Sequence, residues 1–255
     1  MKTNRTLRML REGKTVLGTM IGECGSPEVV RTLARAGFDF VIIDNEHAPF
    51  DLDTDSRLYR AARTTEMDLL VRVPDAQYHL IARTLDAGAD GVMVPRIETP
   101  DQAREVVAAV KYPPTGRRGA AHRAIHTDQE PVPLGEYTAH LNANTMIIAQ
   151  LETRAAIGHA DEILAVEGLD VALIGPADLS VSLGVPGEVE HALMEEYVGK
   201  VVAAAERAGI ASGIHWSGAP FLRKWRDRGM RCIMCSSEMG FLADGARSAV
   251  ADMRG

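Results

Sequence analysis

The sequence predicts an α/β fold, a single parallel (βα)8 barrel of the TIM type spanning residues 1–255. Three observations carry that prediction. First, one rhythm recurs along the chain: an amphipathic helix, a glycine that stops it, then a short apolar run. Second, the apolar runs are nearly continuous rather than alternating, as strands of a parallel sheet covered by helices must be. Third, there are eight such runs and no Gly-rich dinucleotide fingerprint after the first, which favours a closed barrel over a doubly wound sheet. A length of 255 residues, 46% hydrophobic and 25% charged, suits one large core of that kind and shows no domain boundary.

Taken in order, a helix from Leu7 to Glu12 precedes the first strand, TVLGTMIG, and the helix SPEVVRTLARAG ends at Gly37. FVIIDNEH is the second strand, followed by the helix LDTDSRLYRAARTT. DLLVRVP is the third, and QYHLIARTLDAG behind it ends at Gly88. GVMVPRI is the fourth, with the helix TPDQAREVVAAVKY. TMIIAQLE and VALIGPAD are the fifth and sixth, with RAAIGHADEILAVEG between them. LMEEYVGKVVAAAERAG leads to the seventh, ASGIHW, and PFLRKWRDRG to the eighth, RCIMCS, before a final helix from about Glu238. Pro113 to Tyr137 reads as the one long irregular segment, rich in Pro, Gly, Arg and His, and loops of that length often serve function or an interface. Within it, His122 and His126 read as solvated, and Arg117-Arg118 as a surface or subunit contact.

Composition narrows the partners. A formal charge of −7 argues against a nucleic-acid or anionic-membrane partner. No apolar run approaches the roughly 20 residues that span a bilayer, and the charged start MKTNRTLRMLREGK lacks the apolar core of a signal peptide. The three cysteines, Cys24, Cys232 and Cys235, suggest no disulfide framework, so the expected location is cytoplasmic. Cys232 and Cys235 mimic a zinc or redox half-site. Residues three apart on a strand point to opposite faces, however, and no second pair completes four ligands.

A barrel of this kind places its chemistry at the carboxyl ends of the strands. The polar residues there are Asp44, Asn45, Glu46, His47, Arg72, Arg96, Gln150, Glu152, Asp178, His215 and Glu238. Lysine is missing from that set. The five lysines precede the first strand or belong to outer helices, so imine catalysis is ruled out and an electron sink must be a metal or cofactor. Glu152 and Asp178 end neighbouring strands, whose spacing of about 5 Å lets two hard oxygen donors share one Mg²⁺ or Mn²⁺. Each acid could instead cap the helix that follows it. His47 is placed to act as a general base. Asp86 is either its orienting partner or an ordinary helix-end carboxylate. Arg72 interrupts an apolar strand, which is expensive unless it meets an anion; that anion is either a substrate carboxylate or enolate, or a structural ion-pair partner. No P-loop, nucleophile elbow or HExxH is present.

The strings IIDNEHAP, VRVP, VPRIETPDQAREVVAAVKYPPTGRRG, AQLETRAAI and IGPADLSVSLG together resemble the HpcH/HpaI family of class II pyruvate aldolases, from about Gly18 to Gly184 and more weakly beyond. The resemblance implies His47 as catalytic base, Asp86 as the group that raises its basicity, and Arg72 as transition-state stabiliser. It implies Glu152 and Asp178 as ligands of Mg²⁺ or Mn²⁺, with Co²⁺ a further candidate, and Gln150 and Ala177 as substrate contacts. The implied reaction splits a 4-hydroxy-2-oxo acid into pyruvate and an aldehyde, in a hexamer built from trimers with the last helix exchanged. Oxaloacetate-type decarboxylation or CoA-ester lysis would use the same site, though the acidic balance disfavours CoA phosphates. A non-catalytic oligomer would predict a broken ligand set, and the set is intact. The chain departs from its relatives at Met20, where many carry tryptophan, at His215 and Trp216, where an aliphatic residue commonly follows Gly-Ile, and at CSSE, where a glycine and an aspartate are frequent.

Overall fold

The structure, a computed structural model, describes all 255 residues. Eight strands close into one all-parallel barrel in the order β1 to β8, with β8 pairing back onto β1. They are β1 (Val16–Ile21), β2 (Phe40–Asp44), β3 (Asp68–Arg72), β4 (Gly91–Val94), β5 (Met146–Leu151), β6 (Val171–Ile174), β7 (Ala211–Trp216) and β8 (Cys232–Ser237). The helices are α1 (Arg5–Arg11), α2 (Pro27–Ala36), α3 (Leu52–Ala62), α4 (Tyr78–Ala87), α5 (Pro100–Val110), α6 (Ala124–Thr127) and α7 (Leu134–Asn144). They continue with α8 (Arg154–Gly158), α9 (Ala160–Leu164), α10 (Pro176–Leu183), α11 (Ala192–Ala208), α12 (Ala219–Asp227) and α13 (Glu238–Arg254). The arrangement is consistent with the (βα)8 expectation. No helix is long and apolar enough to cross a membrane.

The two-residue period of the strands sorts their side chains into two cores. Val41, Ile43, Val71, Val92, Ile147, Ala172 and Ile214 face outward and join the apolar stripes of the helices in one large cluster. Phe40, Ile42, Leu70, Met93, Met146, Ile148, Val171, Leu173, Cys232 and Met234 face inward and fill the barrel, with Leu7 and Leu10 of α1 packed against them. A side chain at Gly18 would run into the Phe40 ring, so glycine there makes room for the aromatic. One step further along the inward rows, the apolar residues give way to polar ones. Ile42 is followed by Asp44, Leu70 by Arg72, Ile148 by Gln150, and Gly213 by His215. That substitution of polar for apolar at one level makes the floor of the site.

Helix boundaries follow local chemistry. Ser26 caps α2 through Glu28 N–H, Pro27 opens it, and Gly37 closes it at φ 98, where a side chain would be strained. Thr99 and Gln102 form a capping box at the start of α5.

Four expectations need correction. Residues 113–137 are not wholly irregular: they contain the single turn α6 and the first residues of α7. One turn is too short to show periodicity, and α7 buries only Tyr137 and Leu141, so neither announces itself. His126 is buried, with its ring Nε2 2.7 Å from the Leu85 carbonyl, and desolvation lowers its pKa. Arg118 is also buried, stacked on the Tyr112 ring at 4.8 Å. The stretch 154–164 forms two short helices, α8 and α9, separated at His159.

Candidate active site

The polar floor opens into a cavity of about 530 Å³, lined by residues that include Met20, His47, Arg72, Gln150, Ala177, Asp178, His215 and Trp216. None of the five lysines lines it.

Arg72 enters from β3 opposite Asp44 of β2, its register partner. Its Nε donates to Asp44 Oδ1 at 2.8 Å and its Nη2 to Oδ2 at 2.6 Å. Nη1 lies 3.2 Å from Glu46 Oε2, and Glu46 Oε1 is 2.9 Å from Arg96 Nη2. Burial alone would raise the Asp44 pKa, but the Arg72 hydrogen bonds and charge, with the Glu46 and His47 backbone N–H groups, hold it below the usual carboxylate range. Burial alone would lower the Arg72 pKa; Asp44 and Glu46 outweigh it, so the guanidinium stays charged at the cavity wall. Arg72 thus has a structural ion-pair partner in Asp44 and also lines the cavity.

Glu152 follows β5 and is 3% exposed. Its Oε1 accepts the Arg96 backbone N–H at 3.1 Å, and its Oε2 accepts from Gln150 Nε2. Burial first, then the charges of Asp178 and Glu46, push Glu152 up to about 7. Asp178 does not end a strand as expected. Strand β6 stops at Ile174, and Asp178 sits in the first turn of α10, exposed at the cavity. Neither acid caps a helix: Thr153 caps α8, and α10 has Gly175 at its cap with no side-chain bond. A Cβ at Gly175 would lie 2.5 Å from Glu152 Oε2 and 2.8 Å from Gln150 Nε2, so only glycine lets the backbone pass there.

These residues fit a divalent cation. Asp178 lines the cavity and its charge acts on Glu152, which is buried behind the lining residue Gln150, and Gln150 Oε1 is itself buried with no hydrogen-bond partner. Both features describe a place where added positive charge and its bound waters would be stabilised. No third His, Cys, Asp or Glu completes a protein-only cage.

His47 stands at the rim with its side chain 64% exposed, its backbone N–H 3.3 Å from Asp44 Oδ1 and its Nε2 3.8 Å from Glu46 Oε2. Asp86 is not brought to it. That carboxylate, near the end of α4, accepts a 2.7 Å bond from Arg118 Nη2 instead. Its side chain leaves α4 toward the 113–137 segment, whose path the sequence did not reveal. Gln150 and Ala177 both line the cavity.

Besides Asp44, three participants were named as strand-end polar residues but given no role. Glu46 folds back to bridge two arginines. Arg96 adopts φ 53, a strained conformation for a non-glycine residue, and thereby turns its N–H onto Glu152. Glu238 Oε1 accepts the backbone N–H groups of Gly22, Glu23 and Cys24 at 2.9, 2.6 and 2.9 Å, tying down the loop after β1. The positions were legible; the contacts depend on side-chain paths that periodicity does not encode.

Comparison with known proteins identifies the family of the chain. The profile of the HpcH/HpaI aldolase/citrate lyase family matches residues 23–244. A hydroxypyruvate/pyruvate aldolase from Roseovarius nubinhibens is 36% identical, the match covering 99% of this chain and 97% of the relative. A 4-hydroxy-2-oxovalerate aldolase from Novosphingobium aromaticivorans is 34% identical over 93% of this chain and 89% of its own. The crystal structure of an HpcH/HpaI aldolase from Desulfitobacterium hafniense superposes with a TM-score of 0.93 at 35% identity, covering 97% of this chain and 95% of that one. The chain belongs to the HpcH/HpaI aldolase/citrate lyase family and is a carbon–carbon lyase.

Proposed function

We propose that this lyase is a divalent-metal-dependent class II aldolase that cleaves, or forms, 4-hydroxy-2-oxo acids, with pyruvate as one product and an aldehyde as the other. The observation that carries the reading is the proximity of two carboxylates, Asp178 on the cavity wall and Glu152 buried behind Gln150, with burial first and the Asp178 and Glu46 charges next pushing Glu152 up to about 7. Glu152 and Asp178 would hold the ion; with two protein donors, water and substrate are left to fill the remaining positions, a pattern that suits Mg²⁺, Mn²⁺ or Co²⁺. When bound, the ion supplies a Lewis acid that withdraws charge from the 2-oxo acid.

The chain's own residues do the rest. Residues Gly175 to Asp178 at the start of α10 line the cavity, and the backbone N–H groups there would favour the substrate carboxylate. Gln150 lines the cavity and fixes the Glu152 carboxylate through its Nε2. His47, directly or through a water, takes the proton of the 4-hydroxyl. As the bond between carbons three and four breaks, its electron pair becomes the enolate of pyruvate, and Arg72 donates hydrogen bonds to that developing negative charge. The proton returns to carbon three, and pyruvate leaves. Asp44 and Glu46 keep the Arg72 fork aimed throughout.

The test is pyruvate release from a 4-hydroxy-2-oxo acid by the purified protein, before and after chelation and after readdition of Mg²⁺ or Mn²⁺. Loss and recovery of turnover support the reading; full speed in excess chelator overturns it. Oxaloacetate and a CoA thioester run beside it distinguish the decarboxylase and CoA-lyase alternatives. We further propose that the chain works as a homo-oligomer, the hexamer that its resemblance implies. Helix α13 supports this, since Glu238 is its one buried residue and Met239, Leu242, Val250 and Met253 lie exposed along it. Mass measurement in solution checks the assembly.

A further inference from the structure

His215 is a polar residue at the floor of the barrel, and its surroundings give it a chemical meaning. It is the inward residue at the end of β7, level with Met234 of β8, and it lines the cavity beside Trp216 and Ser217. In a closed barrel of eight strands, β7 lies across from β3, so His215 faces the Arg72–Asp44 pair over the floor.

The ring's hydrogen bonding settles which nitrogen carries the proton. Nε2 lies 2.9 Å from the Ser236 carbonyl oxygen, which can only accept, so Nε2 is the donor. That oxygen is itself held in place: Ser236 adopts φ 53, and its carbonyl also accepts from Thr19 Oγ1 at 3.2 Å. Burial, with the Arg72 charge adding to it, lowers the His215 pKa, which keeps the ring neutral. Nδ1 then carries a lone pair. No protein donor meets it, and the residue that bears it lines the cavity. A neutral imidazole with a fixed tautomer and an open lone pair is an acceptor for one hydrogen-bond donor. The donor must be a small neutral group, because the neighbouring floor already carries a guanidinium.

We infer that His215 is a specificity-determining residue whose Nδ1 accepts a hydrogen bond from a hydroxyl group of the substrate, so that the site prefers a hydroxylated reactant over its deoxy counterpart. This rests on the aldolase reading above. Two sources of that hydroxyl exist: the 2-oxo acid that becomes the nucleophile, as in hydroxypyruvate, or the aldehyde partner, as in glycolaldehyde. The shared chemistry is a carbon-bound O–H presented to the β7 side of the floor.

The experiment compares ratios of kcat/KM in the wild type and in His215→Val, His215→Gln and His215→Asn. One arm sets hydroxypyruvate against pyruvate with a common aldehyde; the other sets glycolaldehyde against acetaldehyde with pyruvate. Gln retains a donor for the Ser236 carbonyl but loses the acceptor at the Nδ1 position, whereas Asn places its Oδ1 near that position. Loss of one neutral hydrogen bond corresponds to a fall of about tenfold in the hydroxyl-to-deoxy ratio. The expected result is that fall in one arm for the Val and Gln variants, and a ratio within about twofold of wild type for Asn. The arm in which it appears identifies the reactant that bears the hydroxyl. Ratios unchanged in both arms for the Val and Gln variants overturn the proposal, while wild-type turnover with pyruvate and acetaldehyde shows separately whether the aldolase reading stands. A wild type inactive in every arm overturns both together. Should the Val variant fail to fold, the Gln variant carries the comparison.

Discussion

Arg72 and Asp44 meet as a two-pronged pair across neighbouring strands, with Nε to Oδ1 at 2.8 Å and Nη2 to Oδ2 at 2.6 Å, and both residues are under 9% exposed. Removing one partner of such a pair strands the other. Asp44→Ala should destabilise the protein by roughly 3 kcal/mol, the low end for a broken buried pair because Glu46 still attends the guanidinium. It should also release the backbone of Glu46 and His47. Chemical denaturation checks it; a loss below about 1 kcal/mol would mean that the pair is dispensable.

His47→Ala should lower turnover by about 10²- to 10⁴-fold, the usual worth of a general base. Divalent-ion affinity should stay near the wild-type value, since His47 sits at the rim and not beside Glu152. Steady-state kinetics and calorimetry read the two effects apart. Unaltered turnover removes His47 from the scheme.

Glu152 gives the metal-free protein a characteristic pH response. Its pKa in the folded chain, about 7, lies above that of an ordinary glutamate, so the folded state binds the extra proton. Stability is therefore fullest at acid pH and declines as pH rises from near 4.5 through 7, by at most about 3 kcal/mol. Glu152→Gln should abolish that decline, and saturating Mg²⁺ should offset it in the wild type. Unfolding titrations at several pH values in chelator, with and without added ion, decide the matter.

Gly175→Ala should damage ion binding more than folding. The new methyl carbon would lie 2.5 Å from Glu152 Oε2. Relieving that overlap displaces the carboxylate, at a cost of about 1–3 kcal/mol for overpacking. The expected outcome is a Kd for Mn²⁺ at least about tenfold weaker, a shift equivalent to about 1.4 kcal/mol.

Glu238→Ala should loosen the mouth. Three backbone N–H groups of the loop after β1 would lose their shared acceptor. A destabilisation of about 2–3 kcal/mol is expected for the lost charged hydrogen bonds. Amide hydrogen exchange at residues 22–24 should speed up by a matching factor.

The strands were legible because burial on both faces leaves short apolar words rich in branched residues, such as VALI and MIIA, bounded by polar or glycine residues. Helix ends were legible where glycine or a capping box marks them, as at Gly37 and Thr99. The helix pair α8 and α9 was not, since a lone Gly158 inside an otherwise helical run does not by itself announce a break at His159. In the site, the floor could be read by counting in twos along each strand until an apolar row turned polar. What could not be read is where a long side chain goes once it leaves the backbone. Asp86 pairs with Arg118, 32 positions away, and Glu46 folds onto Arg72 and Arg96 through contacts that no period announces.

Strand β8 turns Cys232 into the barrel and Cys235 toward the helical layer. A disulfide needs α-carbons within roughly 7 Å, whereas residues three apart on an extended strand are separated by about 10 Å. Oxidants therefore cannot staple this pair without unravelling a stave. Burial raises both thiols further above the range where they ionise, Cys232 to about 12. That leaves Cys24, in the loop that Glu238 holds, as the natural attachment point for a fluorescent label that would report movement at the mouth of the barrel.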